Sequence, residues 1–214
     1  MTSSRLEKSQ LSVARAAARL FLEKGFAATS GSDIAEAVGI SERTVWRYFR
    51  TKESCVAPLF ELSSKQYAED LRDWPRSAPI EEQFAERFDL HKISPEDSAD
   101  GVLIVRLIAA LPEEPDLRTT WLLSYDEGVE PMARIIGDRL DRSHREFEVR
   151  LCAAAVMAAI RTIDETISMA AIRDGQHFTT DEVVVQLSRA IRAVSNLPFC
   201  DPVVPKPFGD TSSA

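Results

Sequence analysis

The run VGISERTVWRYFRTK, Val38 to Lys52, constrains the fold more than any other part of the chain. Gly39 supplies the backbone freedom of a tight turn. Ser41 is a good N-cap for a short helix starting at Glu42. At about 100° per residue, Val45 and Phe49 share one side of that helix and would pack inward. Arg43, Arg47 and Arg50 fall on the opposite side, with Thr44 and Trp46 on the flanks. Just upstream, Gly31 to Val38 reads as another short helix, capped by Ser30, with Asp33 placed for a capping box. Two short helices joined by a Gly turn form a helix-turn-helix. An apolar stripe backing an arginine stripe presents such a helix to a DNA major groove. Taken alone, an arginine stripe is usually only a solvated helix face, so its surroundings decide.

Those surroundings are specific. Phe26-Ala-Ala-Thr-Ser30, Asp33-Ile-Ala35, Val38-Gly-Ile-Ser41, Thr44-Val45, Tyr48-Phe49 and Lys52-Glu53 together resemble the N-terminal signature of the TetR family of transcriptional regulators. The resemblance covers roughly residues 8–60. Three positions depart from it: Arg43, where a small residue is common, Trp46, where Tyr is usual, and Arg50, where Pro is frequent. They bear on which operator is read. On this reading Arg43, Thr44 and Arg47 reach base edges, the arginines preferring guanine. Thr29, Ser30, Ser41, Trp46, Tyr48 and Lys52 would hold phosphates, partly through helix N-terminal amides.

The net charge of −8 looks wrong for a DNA binder until it is divided. Residues 1–55 hold nine Lys/Arg against six Asp/Glu, and the remainder seventeen against twenty-eight. A basic head on an acidic body restricts phosphate attraction to one end. No apolar run reaches the ~18 residues of a membrane span. The start MTSSRLEKSQ has no signal-peptide pattern, so a cytoplasmic protein without membrane contact is expected. Cys55, Cys152 and Cys200 lack C-x-x-C spacing, and Cys55 and Cys152, which sit in helical patterns, read as small core residues.

The rest of the chain punctuates into helices, and no stretch reads as a strand. Period and caps place a helix from Lys8 to Lys24, then, after the two short ones, another from about Thr51 to Asp73, with Pro58 in its early turns. Pro79 opens the next (Ile80, Phe84, Phe88), and a polar loop is expected over 92–98. Val102–Leu111 reads as a mostly buried helix. Leu117–Leu140 carries Gly128 and Pro131 and should kink or split. Glu146–Asp174 and Thr180–Asn196 complete the set. The expected fold is all-α with nine or ten helices. A helix-turn-helix head occupies 1–50, a ligand-binding and dimerisation body 51–197, and an extended or disordered tail 198–214.

No catalytic constellation assembles. His91, His144 and His177 are isolated, and no Walker loop, G-x-S-x-G or metal spacing is present, so neither enzyme, cofactor nor metal is expected. The last two helices offer apolar or small residues over several turns: Leu151, Ala154, Ala155, Ala158, Ala159, Ile163 and Ile167, then Val184, Leu187, Ile191 and Val194. These could be core or interface. The family resemblance implies a homodimer there, and one short helix reads too few bases alone, so a paired head on a palindromic operator is expected. A ligand box could lie between the helices of 79–140. Phe84, Phe88, Leu103, Leu107, Trp121, Leu122, Tyr125 and Met132 would line it, with Arg161 and Asp164 as polar ends. Each of these, taken singly, reads first as core. The resemblance implies a repressor released by a small hydrophobic effector, acyl-CoA-like in outline. An enzymatic or ligand-binding body with a vestigial helix-turn-helix, or a nonspecific DNA-coating protein, are the rival readings.

Overall fold

The computed structural model describes residues 2–89 and 93–203, without the side chains of 2–4, 63–68 and 70; His91 and residues 204–214 lie outside them. Among the described residues there is no strand. Nine α-helices follow in order: α1 Thr2–Lys24, α2 Gly31–Val38, α3 Glu42–Tyr48, α4 Ala57–Arg72, α5 Ile80–Arg87, α6 Pro95–Ala110, α7 Pro115–Leu140, α8 Phe147–Arg173 and α9 Thr180–Val194. Short 3-10 turns cover Glu53–Val56 and Pro198–Cys200. No described helix is long and apolar enough to cross a membrane.

Local chemistry explains most boundaries. Phe26, just beyond Gly25, stacks on Phe21 with ring centroids 4.3 Å apart and folds the chain back under α1. The 3-10 turn takes up the start of the expected fourth helix, so Pro58 falls in the first turn of α4, where its missing N–H removes no hydrogen bond. The polar loop expected over 92–98 is shorter than that. Ser94 caps Asp97, and Pro95 opens α6 with Glu96 and Asp97 in the first turn. Pro131 does not split α7, which continues as one 26-residue helix. Its flank on α8 holds it: burial there outweighs the single backbone bond that proline deletes.

Two hydrophobic clusters fill the interior. One begins in the three-helix head with Phe21, Ile34, Val45 and Phe49, and continues without a gap through Leu59 and Phe60 to Leu107, Leu117 and Trp121 of the body. The other joins α5, α7, α8 and α9 through Phe84, Ile136, Val156, Leu187 and Ile191. Tyr125 packs against both. Packing is continuous from α3 through the 3-10 turn into α4. An ion pair adds to it: Arg15 of α1 donates from Nε and Nη2 to the two oxygens of Asp100 on α6, at 2.8 and 2.6 Å.

The first residues of the tail are not extended or disordered. Phe199 and Cys200 are buried, Phe199 lies edge-on to Trp74, and Val203 donates its N–H to Arg76 at 2.7 Å. Arg139 anchors this segment by donating to the carbonyls of Phe199 and Asp201. All three cysteines are buried free thiols. Burial pushes Cys55 and Cys200 up to about 12, so neither is a thiolate at neutral pH.

Candidate nucleic-acid interface

Ser30 ends the turn after α1 as an N-cap: its Oγ accepts from the N–H of Asp33, while Asp33 accepts the Ser30 N–H at 2.8 Å. Asp33 also takes Lys24 at 2.8 Å. The Lys24 bond, then the Ser30 bonds, hold its carboxyl well below the usual range. Gly39 ends α2 with φ +68, in the left-handed region that the turn requires. Ser41 then caps α3, accepting from Thr44 N–H at 3.2 Å. Val45 is fully buried in the hydrophobic cluster of the head. On the far side of α3, Arg43 and Arg47 are exposed, as the periodicity requires. Arg47 lies 5.2 Å from the Tyr48 ring centroid.

Trp46 shows what the sequence reading missed. Its ring lies across the start of α2, so close that a Cβ on Gly31 would sit 2.1 Å from Trp46 Cζ2. Its indole N–H donates to Glu42 Oε1 at 3.0 Å, and Ser32 Oγ donates to Glu42 Oε2 at 2.7 Å. Glu42 thus ties α3 to α2. The i,i+4 spacing of Glu42 and Trp46 is visible in sequence, but Gly31 as the floor under the indole is not. We expect Gly31→Ala to eject Trp46 and break this tie. Operator affinity should fall about tenfold, at a stability cost near 1 kcal/mol, by gel shift and urea titration.

Several expected phosphate contacts have their donors engaged within the head, although Ser30 and the Trp46 ring stay exposed. Thr29 is 2% exposed, and its hydroxyl donates to Gly25 O at 2.9 Å. Lys52 donates its ammonium to the carbonyls of Phe26 and Thr29, clamping the α1–α2 turn. Ser30 gives both its N–H and its hydroxyl to Asp33. The Trp46 N–H belongs to Glu42. Arg50 lies beyond α3, after Phe49 has become extended, and so extends no helical stripe. Ser41 and Thr44 share a 2.8 Å hydroxyl contact at the exposed start of α3, and Tyr48 is half-buried beside them. The outward surface is compact: Arg43, Trp46, Arg47 and the Ser41–Thr44 pair, with half-buried Tyr48 and exposed Arg50 alongside.

Residues 14–59, which span this whole unit, match the sequence profile of bacterial regulatory proteins, tetR family. Residues 14–59 are thus similar in sequence to the DNA-binding head of the TetR family. A curated relative is the uncharacterized HTH-type transcriptional regulator YerO of Bacillus subtilis (strain 168), 27% identical over 134 residues, which is 52% of this chain and 45% of that protein. The chain therefore matches less than half the length of that relative. Solved structures share the fold. A putative TetR-family regulator from Mesorhizobium loti MAFF303099 aligns with TM-score 0.53 at 18% identity, covering 91% of this chain and 96% of that one. Salmonella enterica GusR aligns with TM-score 0.53 at 15% identity, covering 86% and 96%. The likeness of the head is thus carried by sequence and fold together, and that of the body by fold alone.

Within the body, most of the ten residues expected to line a ligand box divide between two hydrophobic clusters that meet at Tyr125. Leu103, Leu107 and Trp121 belong to the cluster continuous with the head; Phe84, Phe88 and Met132 belong to the other. Leu122 and Arg161 are half-buried on α7 and α8. Tyr125 and Asp164 stand at the seam, with the Tyr125 hydroxyl donating to Asp164. Beside them Trp121 Nε1 donates to Glu165 at 3.1 Å, and Arg118 lies 3.6 Å from the same carboxylate. Burial pushes the Asp164 carboxyl up to about 6, against the opposing bond from Tyr125 and the charge of Arg87; Glu165 adds to the rise.

The expected interface stripe also divides. Val184, Leu187 and Ile191 of α9 are buried core residues. On α8, Phe147, Leu151, Ala154 and Ala158 are exposed at i, i+4, i+7 and i+11, which puts them on one face. Phe147 is 73% exposed, and Val185 of α9 62%. Such apolar side chains on long helices are the material of a helix-pair interface.

Proposed function

We propose that this chain is a ligand-responsive, dimeric transcriptional repressor that reads a palindromic operator and leaves it when a small, largely apolar effector enters the body. The observation that carries the reading is the placement of Arg43 and Arg47 on the solvent face of α3, directly behind a Val45 that no solvent reaches. A helix seated so firmly can hold two guanidinium groups to base edges without a further ordering cost. Two copies paired through the Phe147–Ala158 face of α8 would set two such helices about one DNA turn, ~34 Å, apart or a multiple of it. We place the division between the DNA-reading head and the sensing body near residue 50.

For the effector we propose the Tyr125–Asp164 seam, where aromatic rings meet the two carboxylates of Asp164 and Glu165. An acyl-CoA-like molecule would bring a polyanionic end to those carboxylates. An apolar body with an uncharged or protonated polar end suits them better. An effector acts only through its different affinity for the two head spacings. The test is a gel shift on DNA upstream of the chain's own coding region, with dodecanol, dodecylamine and lauroyl-CoA as probes. A complex released by the first two supports the reading. No complex at any duplex refutes it, and release by lauroyl-CoA alone would restore the anionic effector.

The seam also predicts a pH dependence. Asp164 is raised above its unfolded value, so the folded chain binds the extra proton as pH falls through about 6 towards 4. Stability should therefore rise on acidification across that window, and Asp164→Asn should gain stability at pH 7 and flatten the rise. Denaturant midpoints of both forms at pH 7 and pH 5 measure this. Parallel curves would show that the carboxyl is solvated.

A further inference from the structure

A cleft of about 270 Å³ opens between the end of α4 and one face of α7. It lies away from the seam: Tyr125 precedes Pro131, the first α7 residue of the cleft, by about 9 Å of helix. Its apolar walls are Leu71, Trp74 and Ile135, and its polar lining is lopsided, with Arg72, Arg76, Arg134 and Arg139 facing one acid, Asp138.

Arg139 makes that imbalance physical. Its guanidinium lies 3.4 Å from the Trp74 ring centroid and donates to the carbonyls of Pro75 and Ala78 at 3.0 and 2.7 Å. Among the described residues no carboxylate pairs with it. Carbonyl dipoles and a ring face hold this buried cation, and burial followed by the nearby Arg76 charge lowers its pKa to about 10. Arg76 is itself turned towards Asp138 O and Asp141. Among the described residues Arg134 makes only an exposed i,i+4 pair with Glu130, which contributes little and can be exchanged. Arg72 stands exposed on the last turn of α4.

We propose that this cleft binds a small organic carboxylate, its apolar body against Trp74 and Ile135 and its carboxylate between Arg72 and Arg134. A planar carboxylate suits guanidinium geometry, and the apolar walls favour it over a bare inorganic anion. The single acid, Asp138, disfavours a multiply charged ligand. Because Arg72 is on α4 and Arg134 on α7, the ligand would bridge the helix that carries the head to the body, at a site separate from the effector seam.

The experiment titrates the full chain by isothermal calorimetry with benzoate, its neutral isostere benzamide, and inorganic phosphate. One benzoate per chain is expected, with benzamide at least about tenfold weaker and phosphate weaker still. The R72Q/R134Q double variant should lose about tenfold in benzoate affinity with an unchanged melting temperature, since both side chains are peripheral to the core. Arg139 is avoided because its loss could unfold the tail. Equal binding of benzamide, stronger binding of phosphate, or full affinity in the double variant overturns the proposal. Loss of benzoate binding in Asp164→Asn would put the ligand in the seam and overturn it as well. Retention there upholds it whether or not the seam binds an effector.

Discussion

Arg15→Ala should destabilise the folded chain by about 3 kcal/mol, several times what a surface ion pair contributes. Asp100 is only 4% exposed and faces Arg15 through two parallel bonds, with Glu96 on the third guanidinium nitrogen. Removing the arginine leaves a buried carboxylate without its partner, which is the costly half of breaking such a pair. Asp100→Leu should cost less, because Arg15 is part-exposed and keeps Glu96. The double variant Arg15→Leu/Asp100→Leu should recover most of the loss. Urea midpoints of the four proteins measure the cycle. If Arg15→Ala and Asp100→Leu each cost under about 0.5 kcal/mol, the pair is only a solvated contact. The functional corollary is sharper. This pair joins the first helix of the head to α6 of the body, so the double variant should stay folded and bind operator while its response to effector weakens.

Arg43→Ala should weaken operator binding by about 1–3 kcal/mol and relax preference at one base step, and Arg47→Ala should do the same at a neighbouring step. Both side chains are exposed and neither anchors the head, so stability should stay within about 0.5 kcal/mol. Arg50→Ala is the internal control. It lies beyond the end of α3, and its loss should weaken operator and random duplex alike and reduce the salt slope by about one. Should Arg43→Ala weaken random duplex as much as operator, Arg43 is a backbone contact, and specificity must come from Thr44, Arg47 or DNA shape.

The sequence carried the head almost completely because its signals are local. Ser30, Gly39 and Ser41 act within four residues of themselves, and Val45 is opposed to Arg43 and Arg47 by helical period alone. What escaped was side-chain competition. Thr29, Lys52 and the Trp46 indole all look like phosphate donors in one dimension, yet each finds an acceptor inside the head. A donor's availability depends on which carbonyls and carboxylates the turn brings near it, and no spacing rule states that. In the body the helices were legible but their faces were not. Val184, Leu187 and Ile191 carry the same apolar pattern whether they face a partner or the core, and only the packing of α9 on α8 decides. Pro131 leaves a kink and a split both open in sequence, and tertiary burial keeps α7 a single helix. The seam at Tyr125 and Asp164 was named in part, but the residues grouped with it separate into two clusters because neighbouring turns of α7 face different sides of the body.

The most direct test of the account is hydroxyl-radical footprinting of the purified chain on its operator, with stoichiometry from sedimentation of the same complex. A dimer reading through α3 predicts two chains per site, or a whole multiple of two, and protections related by a two-fold axis, with half-site centres ~34 Å or a multiple of it apart. Arg43→Ala should relax the same step in both halves. A single chain per site, or protection that falls on any duplex at equal affinity, would contradict it.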